Sequence, residues 1–292
     1  MKKLDELPLV FMTVLTQVSL GGFFTFFLGD VLSIIGLESS NWLMASLVLL
    51  PAVMGFIFSS YYLDRSYFSF SIIKNIKTSW LSREAFSLGV FTLLMTMVVS
   101  LHFIEAHIVL RITTEAFTLA VGIYGIYAQS MVYRVKSRPS WDRETTNIKF
   151  FSVAYVGVFL LALFAVVFSM LDIAIPLIIL GMIGSLAQTF FSFEDLMIVE
   201  TKPQLKKTKR LYDLIFKHVK LFRFISIILG GLSMPLVVML QISEDFTAAA
   251  SFTLLISLIL VFASEISDRY LFYVTAMPLE INDEVSTDKQ RA

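Results

Sequence analysis

In a chain that is 57% hydrophobic and only 16% charged, ionisable residues gathered at the ends of apolar runs are the first candidates for chemistry. Asp64 and Arg65 follow the second run, Arg83 and Glu84 open the third, Tyr133 and Arg134 close the fourth, and Glu265, Asp268 and Arg269 end the eighth. A carboxylate at membrane depth is costly unless it is paired or functional. Glu265 and Arg269 stand four apart with the acid N-terminal, the spacing of a helix ion pair. Glu84 is different. Arg83 is adjacent to it, and adjacent residues do not face each other on a helix, so Glu84 takes a partner from another segment or stays available to accept a proton.

The chain has 3 histidines and no cysteine. A b-type haem needs paired axial histidines facing one another from different membrane helices. His102 and His107 lie five apart near the end of the third run, on different helix faces, and His218 falls in a basic loop. All three are expected to be interfacial or solvated. No haem is expected, and no metal site, because no His, Cys and Glu residues cluster at ligand spacing. Without cysteine there is no disulfide, no thiol chemistry and no iron–sulfur cluster ligated by this chain.

These residues are positioned by eight apolar runs, at 8–29, 42–63, 85–104, 113–133, 148–170, 173–193, 222–242 and 246–270. Each is close to the roughly 20 residues that cross about 30 Å of hydrocarbon. The expected fold class is all-α, a polytopic membrane bundle of eight transmembrane helices, with 1–292 as a single integral membrane domain. Counting eight runs puts all but one of the 23 Lys and Arg residues on one side, the exception being Arg111. Basic loops stay cytoplasmic during insertion, so both termini are expected inside a bacterial cytoplasmic membrane. The first run is too long for a signal-peptide core and is read as a retained helix.

The connections leave no room for a separate soluble catalytic domain, since the longest, 194–221, is only about 28 residues. Its stretch 205–221 alternates cationic and apolar positions, with Lys206, Lys207, Lys209, Arg210, Lys217 and Lys220 among Leu211, Leu214 and Val219. This is the pattern of a helix lying on an anionic lipid leaflet, and it is compatible with docking a cytoplasmic partner. Formal net charge is zero, which gives no footing for nucleic acid. Gln17, Ser19, Gly21 and Gly22 in the first run, and Gly230, Gly231 and Pro235 in the seventh, predict close helix packing with an interhelical hydrogen bond from Gln17. No internal repeat suggests the inverted halves of a secondary transporter.

Four strings, in order along the chain, carry a family resemblance. Asn75-Ile76-Lys77-Thr78-Ser79-Trp80-Leu81-Ser82-Arg83-Glu84 resembles the loop typical of the DmsC family, the membrane anchor subunits of dimethyl-sulfoxide-reductase-type molybdoenzymes. Pro8-Leu9-Val10-Phe11-Met12-Thr13 with Gln17 resembles the family's opening helix. Arg138-Pro139-Ser140-Trp141 is similar to its Arg-Pro-Ala-Trp loop, and Ser264-Glu265 with Arg269 and Leu271-Phe272-Tyr273 to the end of its last helix.

The resemblance implies a haem-free anchor that oxidises menaquinol and passes electrons to an iron–sulfur subunit, which feeds a molybdopterin catalytic subunit. It places Glu84 at the family's functional glutamate, in a quinol site with Tyr62, Arg65 and Arg83. Here Tyr62 stands where the family has a quinol-associated histidine. A phenol with a pKa of about 10 can hydrogen-bond a quinol oxygen but accepts protons poorly near neutral pH. Alternatives from other classes are a divergent scaffold that tethers a partner without oxidising quinol, and an unrelated transporter.

Overall fold

The computed structural model describes residues 7–33, 42–62, 75–196, 203–214, 216–241 and 247–278. All regular structure among them is helical: α1 (Leu7–Ser33), α2 (Trp42–Tyr62), α3 (Trp80–Phe103), α4 (Ile108–Tyr133), α5 (Glu144–Ser152), α6 (Tyr155–Val167), α7 (Leu171–Leu196), α8 (Pro203–Leu214), α9 (Lys217–Ile228), α10 (Met234–Gln241) and α11 (Thr247–Val274). Eight spans are long and apolar enough to cross a membrane, as the hydropathy pattern predicts. The fifth predicted run resolves into α5 and α6, broken at Val153–Ala154, and the seventh is interrupted by a π-helical turn at Leu229–Ser233 between α9 and α10. The basic segment is likewise two pieces, α8 and the start of α9. Leu205 and Thr208 of α8 are buried against the bundle while Lys206, Lys207 and Arg210 are exposed.

The first and fifth spans are the centre of the bundle, with 61% of their central windows buried against 28–39% for the other six. Small residues create that centre. A Cβ on Gly21 would overlap the carbonyl of Ala154, and one on Gly157 would overlap the backbone of Val18 and Gly22. Backbone contact of this closeness is how helices associate in lipid, where no hydrophobic force drives them together. On one flank α1 packs on α2, and α3 on α4; on the other α6 packs on α7, and α11 on α9 and α10.

At the end opposite the basic loops, helix hairpins close through tight turns. After α3 the amide of Ala106 donates to Leu101 O (2.9 Å) and that of Glu105 to His102 O (3.2 Å), with Glu105 at φ 52°. After α6 the amide of Met170 donates to Ala165 O (2.8 Å) and that of Ser169 to Val166 O (3.1 Å), with Ser169 at φ 57°. Both are Schellman stops made without glycine, a left-handed position that L residues occupy at some strain.

Candidate functional site

The sequence around Glu84 builds its own entry to α3. Asn75 O accepts from the amides of Thr78 (3.1 Å) and Ser79 (2.9 Å), and the Ser79 hydroxyl caps the helix by accepting from Ser82 N (3.4 Å). Arg83 clamps that turn, donating from Nε to Ile76 O (2.8 Å) and from Nη2 to Lys77 O (2.6 Å), with its guanidinium 4.3 Å from the Trp80 ring centroid. One residue on, about 100° around the helix, Glu84 points the other way and is buried.

Glu84 is on the wall of a cavity of about 410 Å³. Leu9, Met12 and Thr16 of α1, Gly55, Phe56 and Ser59 of α2, and Leu81, Ser82, Ala85 and Leu88 of α3 form its sides. Tyr133 at the end of α4, Arg138 and Trp141 of the following loop, and Tyr273 of α11 complete it. Leu81 is 50% exposed, so the cavity reaches the outer surface of the bundle beside α3. The loop is held in place by the Trp141 indole, which donates to Phe272 O (2.8 Å) and stacks on the Phe272 ring at 5.4 Å, and Arg138 lies 4.1 Å over the same indole.

Behind Glu84 runs a buried polar chain. The Gln129 side chain of α4 lies beside the Glu84 carboxylate, with Nε2 donating to Thr16 Oγ1 (3.3 Å). Gln17 Nε2 donates to Gln129 Oε1 (2.8 Å), and Arg269 Nη2 of α11 donates to Gln17 Oε1 (2.9 Å). The Arg269 guanidinium also sits 3.8 Å over the Phe150 ring. Among the described residues no cation lies within ion-pair distance of Glu84, and its Oε1 is buried with no hydrogen-bond partner. The carboxylate thus lies beside an amide with one buried oxygen unpartnered.

Of the sequence-predicted site residues, Glu84 is placed at the cavity, while the Arg83 side chain turns toward the 75–78 turn. Tyr62 is the last residue of α2, its side chain and Arg65 lying outside the described residues. The interhelical bond expected of Gln17 is present. The Glu265–Arg269 pair expected from spacing is not formed. Glu265 instead accepts from Tyr155 OH (2.9 Å) and Gln188 Nε2 (2.9 Å), Arg269 turns to Gln17, and Asp268 pairs with Arg223 at 2.6 Å. Buried helix faces meet other helices, so cross-helix partners outcompete the i to i+4 neighbour. His102 is a further correction, since it is buried rather than interfacial, with its ring 5.0 Å from Phe26. His107 and His218 are exposed as expected. Gln129 is not among the residues that the sequence singles out, and its only signal there is an amide inside an apolar run.

A bundle of eight candidate membrane-spanning helices among the described residues defines a class, the multi-pass membrane proteins. Residues 1–274 match the DMSO reductase anchor subunit (DmsC) family, and the chain belongs to it. It is also 27% identical over 159 residues to the C subunit of the anaerobic dimethyl sulfoxide reductase of Haemophilus influenzae, a match that covers 53% of this chain and 56% of that protein.

Proposed function

We propose that this chain is the membrane anchor of a dimethyl-sulfoxide-reductase-type molybdoenzyme, and that the Glu84 cavity receives the head group of menaquinol. The observation that carries the site is the buried Glu84 carboxylate, with one oxygen unpartnered, lining a largely apolar cavity whose volume falls within the about 300–1,000 Å³ of small-molecule sites. Oxidation of a quinol to a quinone releases two protons and two electrons. Glu84 accepts the hydroxyl hydrogen bond and one proton, with Gln129 beside the carboxylate, and the second proton leaves to water at the membrane edge. Arg138 and Trp141 offer a cationic donor and a flat aromatic wall on another side of the ring. The electrons leave to the iron–sulfur subunit, which passes them to the molybdopterin subunit. With no cysteine in the chain, thiolate-ligated clusters belong to that partner.

The membrane is a bacterial inner membrane, and the basic side is cytoplasmic with both termini there. Reporter fusions at Ser140 and Ala292 test this, and the expected outcome is a cytoplasmic signal at both. A periplasmic signal at both inverts the orientation.

The site is tested by Glu84→Gln in membranes carrying the assembled complex. Quinol-dependent reduction falls at least about tenfold, toward the roughly 10²–10⁴-fold contribution of a general base, while reduction driven by an artificial dye that bypasses the membrane subunit is unchanged. Full quinol-linked activity in Glu84→Gln removes the site assignment. Tyr62, at the family's histidine position, favours a second reading in which the chain only tethers its partners. Absence of quinol-linked activity in the wild-type complex would select that reading.

A further inference from the structure

The far end of α3 carries a group that quinol chemistry does not use. Asp30 of α1, His102 of α3 and Glu115 of α4 each offer one metal-ligating atom, and these atoms lie within 4.8 Å of one another. His102 Nε2 is 2.7 Å from Glu115 Oε1 and 3.9 Å from Asp30 Oδ2, and all three side chains are essentially inaccessible to solvent. Arg111 Nη2 holds the other Asp30 oxygen, Oδ1, at 3.2 Å. Glu115 Oε2 is buried and accepts no hydrogen bond.

Among the described residues, the buried Asp30 and Glu115 carboxylates share one fixed guanidinium, and Glu115 Oε2 has no hydrogen-bond partner. An uncompensated carboxylate in a low-dielectric interior is strongly disfavoured. A proton within the cluster relieves it, and so does a cation held between the three residues. The donor set favours a particular cation. One imidazole nitrogen and two carboxylates suit zinc-type transition metals, whereas Mg²⁺ and Ca²⁺ take oxygen donors. Around a tetrahedral centre ligands at about 2.1 Å lie about 3.4 Å from one another, so side-chain adjustments of up to about 1.5 Å, closing Asp30 in and opening the 2.7 Å His102–Glu115 contact, would seat a metal. Arg111 would then act from outside, fixing the Asp30 carboxylate while its Oδ2 faces the metal.

We propose that Asp30, His102 and Glu115 bind one zinc-type divalent cation that ties α1, α3 and α4 together at the end opposite the Glu84 cavity. The proposal is independent of the quinol reading, since its residues lie about 27 Å along α3 from Glu84.

The test uses the full chain purified in detergent, stripped with chelator, reloaded with Zn²⁺ and assayed for metal by elemental analysis and titration calorimetry. The exposed histidines are removed in a His107→Ala/His218→Ala background, where about one equivalent should be retained and excess Mg²⁺ should not displace it. His102→Ala should reduce the metal to background, and Glu115→Gln should weaken the affinity at least tenfold. Co²⁺ loading should give a visible d–d spectrum that His102→Ala abolishes. Failure of the wild type to retain stoichiometric Zn²⁺ overturns the proposal and leaves a hydrogen-bonded cluster that only ties the three helices together. Unchanged binding in His102→Ala overturns it as well. If His102→Ala does not fold, Glu115→Gln and Asp30→Asn decide the matter: unaltered affinity overturns the site, and a tenfold loss supports it.

Discussion

The two ends of α3 solve the same problem in opposite ways. Glu84 and His102 lie on one buried stripe of that helix, together with Ser87, Leu88, Phe91, Met95, Val98 and Leu101. At the basic end the Glu84 carboxylate lies between an amide and a cavity, with one oxygen unpartnered. At the far end the carboxylates of Asp30 and Glu115 meet an imidazole and a guanidinium, beneath the packed ring of Phe26. A carboxylate facing an amide and a space is poised to exchange a proton or a ligand, while one facing charged groups is committed to holding helices in place. Leu88, Phe91, Met95 and Val98 separate the two along α3 with buried apolar side chains, so nothing polar on this stripe connects them.

α1 joins the two regions, because it carries Gln17 toward one and Asp30 toward the other, with Gly21 between them. Gly21→Val should therefore have the largest effect of all. The added side chain would collide with the Ala154 carbonyl, and the expected outcome is little or no monodisperse protein by size-exclusion chromatography after membrane extraction. Survival of folded protein with normal activity would mean that the crossing of α1 and α6 is looser than its backbone contact implies.

Next in size is the loss of quinol-linked turnover in Glu84→Gln, and its counterpart sharpens the contrast: Glu115→Gln should leave turnover by the intact complex within about twofold of wild type, because its site is electrically and sterically separate. A loss as large as that of Glu84→Gln would mean that the two ends are coupled.

Arg111→Gln should lower stability by about 1–2 kcal/mol, since the group it serves is buried but its own side chain touches solvent. Thermal melting of the purified chain measures this. The same substitution should not alter orientation, because every other basic residue remains on the opposite side. The smallest effect concerns additivity. The stability changes of Glu84→Gln and Glu115→Gln should sum in the double variant to within about 0.5 kcal/mol, as for sites with no shared partner.

Much of the architecture was legible because the bilayer reduces the question to length and sign of charge. Apolar runs near 20 residues specify spans, and basic residues specify sides, whatever the helices pack against. Gly21 and Gln17 could be read for the same reason, since small and amide residues in lipid have few uses other than packing and interhelical bonding. The string from Asn75 to Glu84 was legible as well, because a turn, a cap and a helix start are local, and local geometry alone points Glu84 away from Arg83.

What the tertiary structure decided is the partner of every buried polar group. Spacing offered Arg269 to Glu265, yet packing gave Glu265 to Tyr155 and Gln188 and gave Arg269 to Gln17. Spacing likewise offered His102 nothing, and Arg111 stood as the single exception to the charge asymmetry. Folding brought both to Asp30, far away in sequence, with Glu115 alongside. The physical reason is that hydropathy and charge act on each segment separately during insertion, whereas an ionisable side chain in low dielectric must find its partner among whatever helices the packing places beside it.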